Sequence, residues 1–245
     1  MIPVSVVIVT RDEERNIEDA LRSAQGFAEI IVVDSFSSDR TIEICRDYTD
    51  RIYQHEWPGF AKQKQKAVDY ATSPWVLILD ADERISPELR DEIASVVQNT
   101  DCEGFYLPRK NFFLGRWIRY SGWWPDNTLR LFRKGKGVIE DREVHEKVLV
   151  QGMVCNLKRP LLHYTYRTLT DYMRKMEIYS VLASREIRKK VGRPGAASLL
   201  FKPLFTFVKM YFLRLGFLDG MHGLVLALLY GYYTFLKYVR AWEET

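Results

Sequence analysis

At 245 residues and 47% hydrophobic composition, the chain can bury a proper core, as one large domain or as one domain with an appendage. Its net charge of +4 is unevenly spread: from Lys158 onwards 15 Lys and Arg stand against 6 Asp and Glu, while the preceding part is acidic, so the second part is expected to meet an anionic surface, membrane or nucleic acid. Cys45, Cys102 and Cys155 are widely spaced, with no C-x-x-C or Cys/His cluster, so neither a zinc site nor a disulfide framework is indicated and a reducing, cytoplasmic compartment fits best.

The chain opens directly on a β-branched run at 4–9, without the basic region or cleavage site of a secretory signal. That strand stops at RDEERN, where Thr10 or Asn16 is placed to cap a helix with Ile17, Ala20, Leu21 and Ala24 on one face. A second strand at 29–34 ends in DSFSSD, and a helix follows from about Arg40 with Ile42, Ile44 and Cys45 inward. A short strand at 51–55 and a lysine-rich helix at 60–71 come next. Strands alternating with helices of this length indicate βαβ units and a mostly parallel sheet. Neither G-x-G-x-x-G after the first strand nor G-x-x-x-x-G-K-[ST] is present, so dinucleotide and P-loop readings lose their main support.

The stretch WVLILDADER carries the sharpest signal. The apolar run 75–79 reads as a strand covered on both faces, and it ends in Asp80, Asp82 and Glu83. Ligands of open α/β sheets bind at the carboxyl ends of strands. Two carboxylates one residue apart can hold Mg²⁺ together with substrate phosphates. A solvated turn that caps the helix starting near Pro87 would give the same letters. Three successive polar strand ends favour one nucleotide pocket, with Asp34 accepting from a base N–H, Lys64 approaching a diphosphate, and Asp80 with Asp82 on a bridging metal.

A helix over 87–97 and a strand over 104–108 lead into two loop-like, aromatic stretches at 111–117 and 120–126. These are either a packed surface hairpin or a sugar-facing loop, since flat aromatic faces beside glycine suit carbohydrate. An alternating strand at 129–133 and a Lys-Gly-Lys-Gly turn precede an acidic segment offering Glu140, Asp141, Glu143, His145 and Glu146 as general-base candidates. His163 follows an apolar stretch, where a core histidine and a metal ligand are both possible. The tail reads as an amphipathic helix at 170–191 with Tyr172, Met176, Tyr179, Ala183 and Ile187 on one face, a break at Gly192-Arg193-Pro194-Gly195, and two apolar helices at 199–217 and 223–238. Each is too short or too charged to read as a membrane span, and together they suit helices lying in a bilayer interface. Their runs are too apolar for a nucleic-acid groove.

Taken together, SVVIVTRDEE, IIVVDSFSSDRT, the helix of 59–71, WVLILDADE, VHE and HY resemble, over nearly the whole chain, the inverting GT-A glycosyltransferases of family 2, and among them lipopolysaccharide inner-core enzymes of the β-1,4-glucosyltransferase branch. The resemblance implies a Rossmann-like GT-A domain over 1–167 and a helical, membrane-docking region over 168–245. It implies a nucleotide-sugar pocket formed by Thr10, Arg11, Glu13, Asp34, Lys64, Gln65, Asp80 and Ala81, with Asp34 on uracil and Lys64-Gln65 where many members carry Arg-Asn. Asp80, Asp82 and His163 are implied to hold a divalent metal, Mg²⁺ or Mn²⁺, the imidazole favouring Mn²⁺ slightly. Glu146 is the implied base, with His145 orienting it or touching substrate, and Gly122, Trp123 and Trp124 form the implied acceptor loop. The implied reaction moves a hexose, glucose from UDP-glucose, onto a lipid-linked saccharide of the lipopolysaccharide inner core, at the cytoplasmic face of the inner membrane and with no nucleic-acid partner. Transfer to a polyprenyl phosphate, or a non-catalytic membrane-docked nucleotide-binding module, are the alternatives.

Overall fold

A computed structural model describes residues 1–140 and 147–243. The chain runs β1 (Ile2–Thr10), α1 (Ile17–Ser23), β2 (Phe27–Asp34), α2 (Thr41–Arg46), β3 (Ile52–Gln54), α3 (Phe60–Asp69), β4 (Trp75–Asp80), β5 (Glu83–Ile85), α4 (Pro87–Val96), β6 (Gly104–Phe113), β7 (Arg116–Trp117), β8 (Asp126–Arg133), β9 (Gly137–Glu140), β10 (Lys147–Val150), β11 (Val154–Asn156), β12 (Leu161–Tyr166), α5 (Leu169–Val191), α6 (Ala196–Val208) and α7 (Met221–Glu243). It divides into two compact units, the first being Met1–Arg109 with Asp126–His163, the second Lys110–Pro125 with Tyr164–Thr245. Residues 110–125, expected within a domain ending at 167, group instead with the C-terminal helices.

In the first unit, β3, β2, β1 and β4 lie side by side in that order and run parallel, while β8 joins β4 antiparallel and β6 joins β8 antiparallel. Strand side chains alternate between faces, and both faces here are apolar. Val4, Val6, Ile8, Leu77 and Leu79 pack with Ile17, Leu21, Leu89 and Ile93 of α1 and α4. Val7, Ile31, Val33, Val76 and Ile78 pack with Ala61, Ala67 and Val68 of α3. This two-sided burial explains why each strand reads as an unbroken apolar run. The order β2-β1-β4 reverses direction at β1, which makes the carboxyl ends of β1 and β4 a topological switch point.

Several local expectations change. Asn16 stands at the N-cap of α1 without a side-chain cap bond, and its amide donates to Glu13 at 2.7 Å. Helix α4 is capped by Ser86, whose hydroxyl accepts from the Leu89 N–H at 3.2 Å, and the acids of the DADE turn take no part. Strand β8 does not alternate: Leu129, Arg130, Leu131 and Phe132 are all buried. Cys102 and Cys155 form a disulfide, with Cα atoms 6.0 Å apart. The two cysteines are 53 positions apart in sequence, but β11 pairs in parallel with β6 and sets Cys155 opposite Phe105, so spacing alone could not exclude the bond.

In the second unit, the loop-like stretch at 111–117 is a hairpin, one of the two readings its sequence left open. Phe112 pairs with Trp117 and Phe113 with Arg116 across Leu114 and Gly115, whose φ values of 50° and 79° suit a tight two-residue turn. Thr168 and Asp171 cap α5 reciprocally. Phe113, Ile118, Trp123, Tyr172, Met176, Met210, Leu226 and Ala227 form this unit's core. The α5 stripe holds at Tyr172 and Met176, while Ser180 and Ser184 are buried and Tyr179, Ala183 and Ile187 only half so. Helix α6 continues as a π-turn over Lys209–Leu213, and a short 3₁₀ turn over Gly216–Asp219 leads to α7. Ala196–Leu213 is thereby a stretch of 18 helical residues, long enough and apolar enough to cross a membrane, with 6% of it buried. The charges of Lys202 and Lys209 argue against a span in the sequence; helical continuity through the π-turn supplies the length.

Candidate active site

Pairing register collects the polar strand ends of the first unit. Asp34 lies opposite Thr10 across β1–β2, and Asp80 lies opposite Val9 across β1–β4. The loops beyond them are laced together: the Asp12 N–H donates to Ser37 Oγ at 2.9 Å, Glu13 N–H to Thr41 Oγ1 at 2.8 Å, Glu14 N–H to Asp39 at 3.0 Å, and Ser38 N–H to Asp12 at 2.7 Å. Asp12 and Phe36 adopt left-handed backbone, φ 52° and 55°, an uncommon state for such residues and one that gathers at functional sites. Arg11 is exposed beside Asp12 at 3.9 Å.

Asp34 is fully buried and accepts from the Ser37 N–H at 2.9 Å, the Ser37 hydroxyl, and Gln54 Nε2 at 3.0 Å. Its oxygens are engaged by the turn that follows β2 and by Gln54 of β3. Helix α3 starts on Gly59, whose φ of 105° is one that a Cβ would strain. From that start Lys64 is carried inward, 4% exposed, with Nζ 2.8 Å from Asp80 Oδ1. Its neighbour Gln63, which sequence reasoning passed over, is fully buried and donates to Ser35 Oγ at 3.0 Å. Thr10 Oγ1 and Gln63 Oε1 are buried with no partner among the described residues, an arrangement native interiors seldom leave unless a ligand or water completes it. Gln65, expected in the pocket, turns away: its carbonyl accepts the Ile139 N–H at 3.1 Å and its amide donates to Asp69 at 2.8 Å.

The DADE turn is a rigid, charged hub. Glu83 is fully buried; one oxygen accepts the Asp80 N–H at 2.9 Å, the other lies 3.0 Å from Arg130 and 3.5 Å from Arg109. Arg84 donates to the carbonyls of Ala81 (2.8 Å), Glu83 (2.8 Å) and Asn16 (2.7 Å), fixing the turn, with Ala81 buried in it, to the start of α1. Asp80 Oδ2 pairs with Arg130. Burial disfavours charge on Asp80, yet Arg130, Lys64 and then Arg109 outweigh it and hold the carboxyl well below the usual carboxylate range.

Asp82 and His163 are the pair the turn sets apart. Antiparallel pairing of β5 with β12 puts His163 opposite Glu83, and His163 Nε2 lies 3.5 Å from Asp82 Oδ1, with side chains 12% and 14% exposed. Among the described residues no group of three or more His, Cys, Asp or Glu gathers to hold a metal. The expected trio therefore reduces to Asp82 and His163, because Lys64 and Arg130 take the two oxygens of Asp80. An imidazole beside a carboxylate is a donor set that fits a divalent ion whose remaining ligands come from a diphosphate.

The base candidates His145 and Glu146 lie outside the described residues. In the second unit, Gly122 has φ 80° and is exposed. Trp123, expected to face sugar, is 9% exposed and packs edge-on against Phe113 at 6.1 Å, as an apolar ring beside an apolar strand should. Trp124 is half-buried, edge-on to Trp117 at 5.5 Å.

Residues 5–156 match the family model described as Glycosyl transferase family 2. The lipopolysaccharide core biosynthesis glycosyltransferase LpsC of Rhizobium meliloti (strain 1021) is 29% identical over 256 residues, spanning 99% of this chain and 93% of LpsC. An uncharacterised glycosyltransferase of Rickettsia bellii is 27% identical, spanning 98% of this chain and 86% of its own length. Among solved structures, S. aureus TarS 1–349 in complex with UDP superposes with a TM-score of 0.52 at 16% identity, over 97% of this chain and 91% of that one. The TarS complex with UDP-GlcNAc gives 0.51, also at 16% identity, over 98% and 90%. The arrangement of strands and helices is that of the GT-A fold.

Proposed function

Because this chain belongs to glycosyl transferase family 2, we propose that it transfers a hexose, with glucose from UDP-glucose the first candidate, to a lipid-linked saccharide of the lipopolysaccharide inner core. The observation that carries this reading is the meeting of Asp82 and His163, 3.5 Å apart, beside a turn locked by buried Glu83 and Arg84 at the switch point of the sheet. The name of LpsC supports the acceptor class, and UDP and UDP-GlcNAc bound to TarS support a nucleotide-sugar donor.

Asp82 and His163 would hold a divalent metal, Mg²⁺ or Mn²⁺, which when bound offsets the charge developing on the departing diphosphate. Lys64 and Arg130 bring two buried cations to the same strand end, and Asp80 fixes where they stand. Thr10 and Gln63 offer buried acceptors to the donor's hydroxyl or N–H groups. Glu146, with His145 beside it in sequence, is assigned the acceptor hydroxyl's proton, since inverting transfer needs one base within hydrogen-bond reach. The exposed apolar residues of α6, Leu200, Phe201, Leu204 and Phe205, together with Lys202 and Lys209, support docking on the cytoplasmic face of an anionic membrane.

The test follows release of the nucleoside diphosphate from a panel of sugar nucleotides with Mn²⁺ or Mg²⁺. UDP-glucose is expected to be consumed, and Asp82→Ala to lower kcat/KM by roughly 100-fold or more. Consumption of no UDP-sugar under either metal overturns the proposal. Unchanged metal dependence in His163→Ala removes His163 from the metal.

A further inference from the structure

Connections between helices run over the surface and are ordinarily polar. The one from α6 to α7 departs from that rule. Over residues 212–221, Phe212, Leu213, Leu215, Phe217, Leu218 and Met221 are 43–68% exposed. Exposed apolar side chains scattered singly are common on any protein, but six on one turn make a patch of the kind that meets a partner or a membrane.

The turn is also held in place. Asp219 is 2% exposed, and its oxygens accept the N–H groups of Arg119 (3.2 Å) and Tyr120 (2.9 Å). The Arg214 carbonyl accepts the Ser121 N–H at 2.9 Å, and Gly216 sits so close to Ser121 Oγ and the Met210 carbonyl that any Cβ would meet them. All of these residues belong to the second unit. Leu215 has a φ of 55°, a left-handed state that Gly or Asn adopts at less cost, and its side chain is exposed there. The fold therefore gains little from leucine at this position, yet it holds the side chain outward on a fixed backbone. Such pre-ordering lowers the cost of binding.

Lipid is the occupant these features favour. The turn follows Ala196–Leu213, 18 helical residues apolar enough to cross a membrane and 6% buried. Lys209 and Arg214 are exposed beside the apolar residues, and the one acid between residues 196 and 242, Asp219, is turned inward to backbone N–H groups. An anionic bilayer matches both halves of this surface, headgroups meeting the cations and the acyl boundary meeting Leu and Phe. The same two cations limit the depth, because a charged side chain is costly at the bilayer centre and tolerated at the interface.

We infer that the α6–α7 turn is a shallow membrane-inserting tip, with Leu213, Leu215, Phe217 and Leu218 entering the headgroup–acyl boundary. The inference rests on the membrane docking proposed for α6 and names the element that enters the lipid.

Cys45 is buried and Cys102 is bonded to Cys155, so in Leu218→Cys of the full chain a thiol-reactive, polarity-sensitive dye reaches position 218 alone. On phosphatidylcholine vesicles containing phosphatidylglycerol, its emission is expected to shift to the blue and brighten several-fold. A nitroxide placed high on the lipid acyl chain should quench it more than one placed low. Leu215→Asn should weaken vesicle binding by roughly fivefold while unfolding at no lower temperature, since it relieves backbone strain. A chain that sediments with vesicles while the dye keeps its aqueous emission overturns the inference and leaves docking through α6 intact. Stronger quenching by the low nitroxide overturns the shallow depth in favour of a span. A blue shift that grows with protein concentration without vesicles assigns the patch to a second copy. Loss of stability in Leu215→Asn with vesicle binding unchanged assigns Leu215 to packing. A chain that does not sediment at all overturns both the tip and the docking of α6, so the two failures are distinguishable.

Discussion

Asp80 shows how a residue chosen by motif can end with a different task. Its carboxylate is held ionised between Lys64 and Arg130, so Asp80→Asn would strand two buried cations. Breaking a buried pair costs up to about 5 kcal/mol; for a side chain one quarter exposed, a loss of about 2–3 kcal/mol in urea unfolding is expected. The sign with pH follows from the depressed pKa. The stabilisation is fully present above the ordinary carboxylate value near 4 and disappears as pH falls from there through the folded value. The stability gap between wild type and Asp80→Asn should therefore narrow below about pH 4; a gap that is flat from pH 7 to pH 3 would contradict the ion-pair account. Cys45 offers a second check. Burial, with Asp34 and Asp39 nearby, pushes its thiol up to about 12, and Cys102 and Cys155 are bonded. Without reductant, a thiol reagent is expected to find nothing in the native protein and one group after unfolding. The motif residues Asp80, Asp82 and Lys64 were legible because each sits in a local pattern. Arg130 was not, since what makes it matter is its pairing with Asp80 and Glu83, some 50 positions away.

At the level of elements, the first 100 residues were readable because their strands are buried on both faces and their helices on one. The ends of β1, β2 and β4 fell where the apolar runs stopped. The hairpin of β6 and β7 stood as only one of two readings because its turn, Leu114-Gly115, has one residue that seldom accepts positive φ, and its aromatics resemble those of a binding loop. The cap of α5 is a strong local device. Thr168→Ala should cost about 1 kcal/mol, and Thr168→Asn should restore most of it, both read from thermal unfolding. The disulfide between Cys102 and the β11 residue Cys155 was unreadable because parallel pairing across a long excursion leaves no trace in cysteine spacing. Closing 53 residues, it should contribute up to about 4 kcal/mol under oxidising conditions, so Cys155→Ser is expected to lower the denaturant midpoint without altering UDP binding.

For the molecule as a whole, the charge imbalance recognised in the sequence meets an exposed apolar surface. Phe205 and Leu204 are each 59% exposed on a helix with no buried residue. Replacing either with Glu should reduce sedimentation with anionic vesicles several-fold, while UDP binding stays constant. Equal sedimentation of the variants would remove α6 from the membrane contact.

The way the units are threaded has its own consequence. Strands β6 and β12 each begin in one unit and finish in the other, the change falling between Arg109 and Lys110 and between His163 and Tyr164. The second unit is thus assembled from two separate lengths of chain, and Phe113, Ile118 and Trp123 of the shorter length share one core with Tyr172, Met176, Met210, Leu226 and Ala227 of the longer. A fragment cut after residue 167, the natural choice for an engineer reading the sequence, would carry the hairpin without the helices that share its core. It should elute as an aggregate in size-exclusion chromatography, whereas a fragment that also lacks residues 110–125, replaced by a short linker, should not. Exchanging the second unit between relatives would accordingly mean grafting two segments together, and a chimera made at a single junction would inherit half of each unit's core.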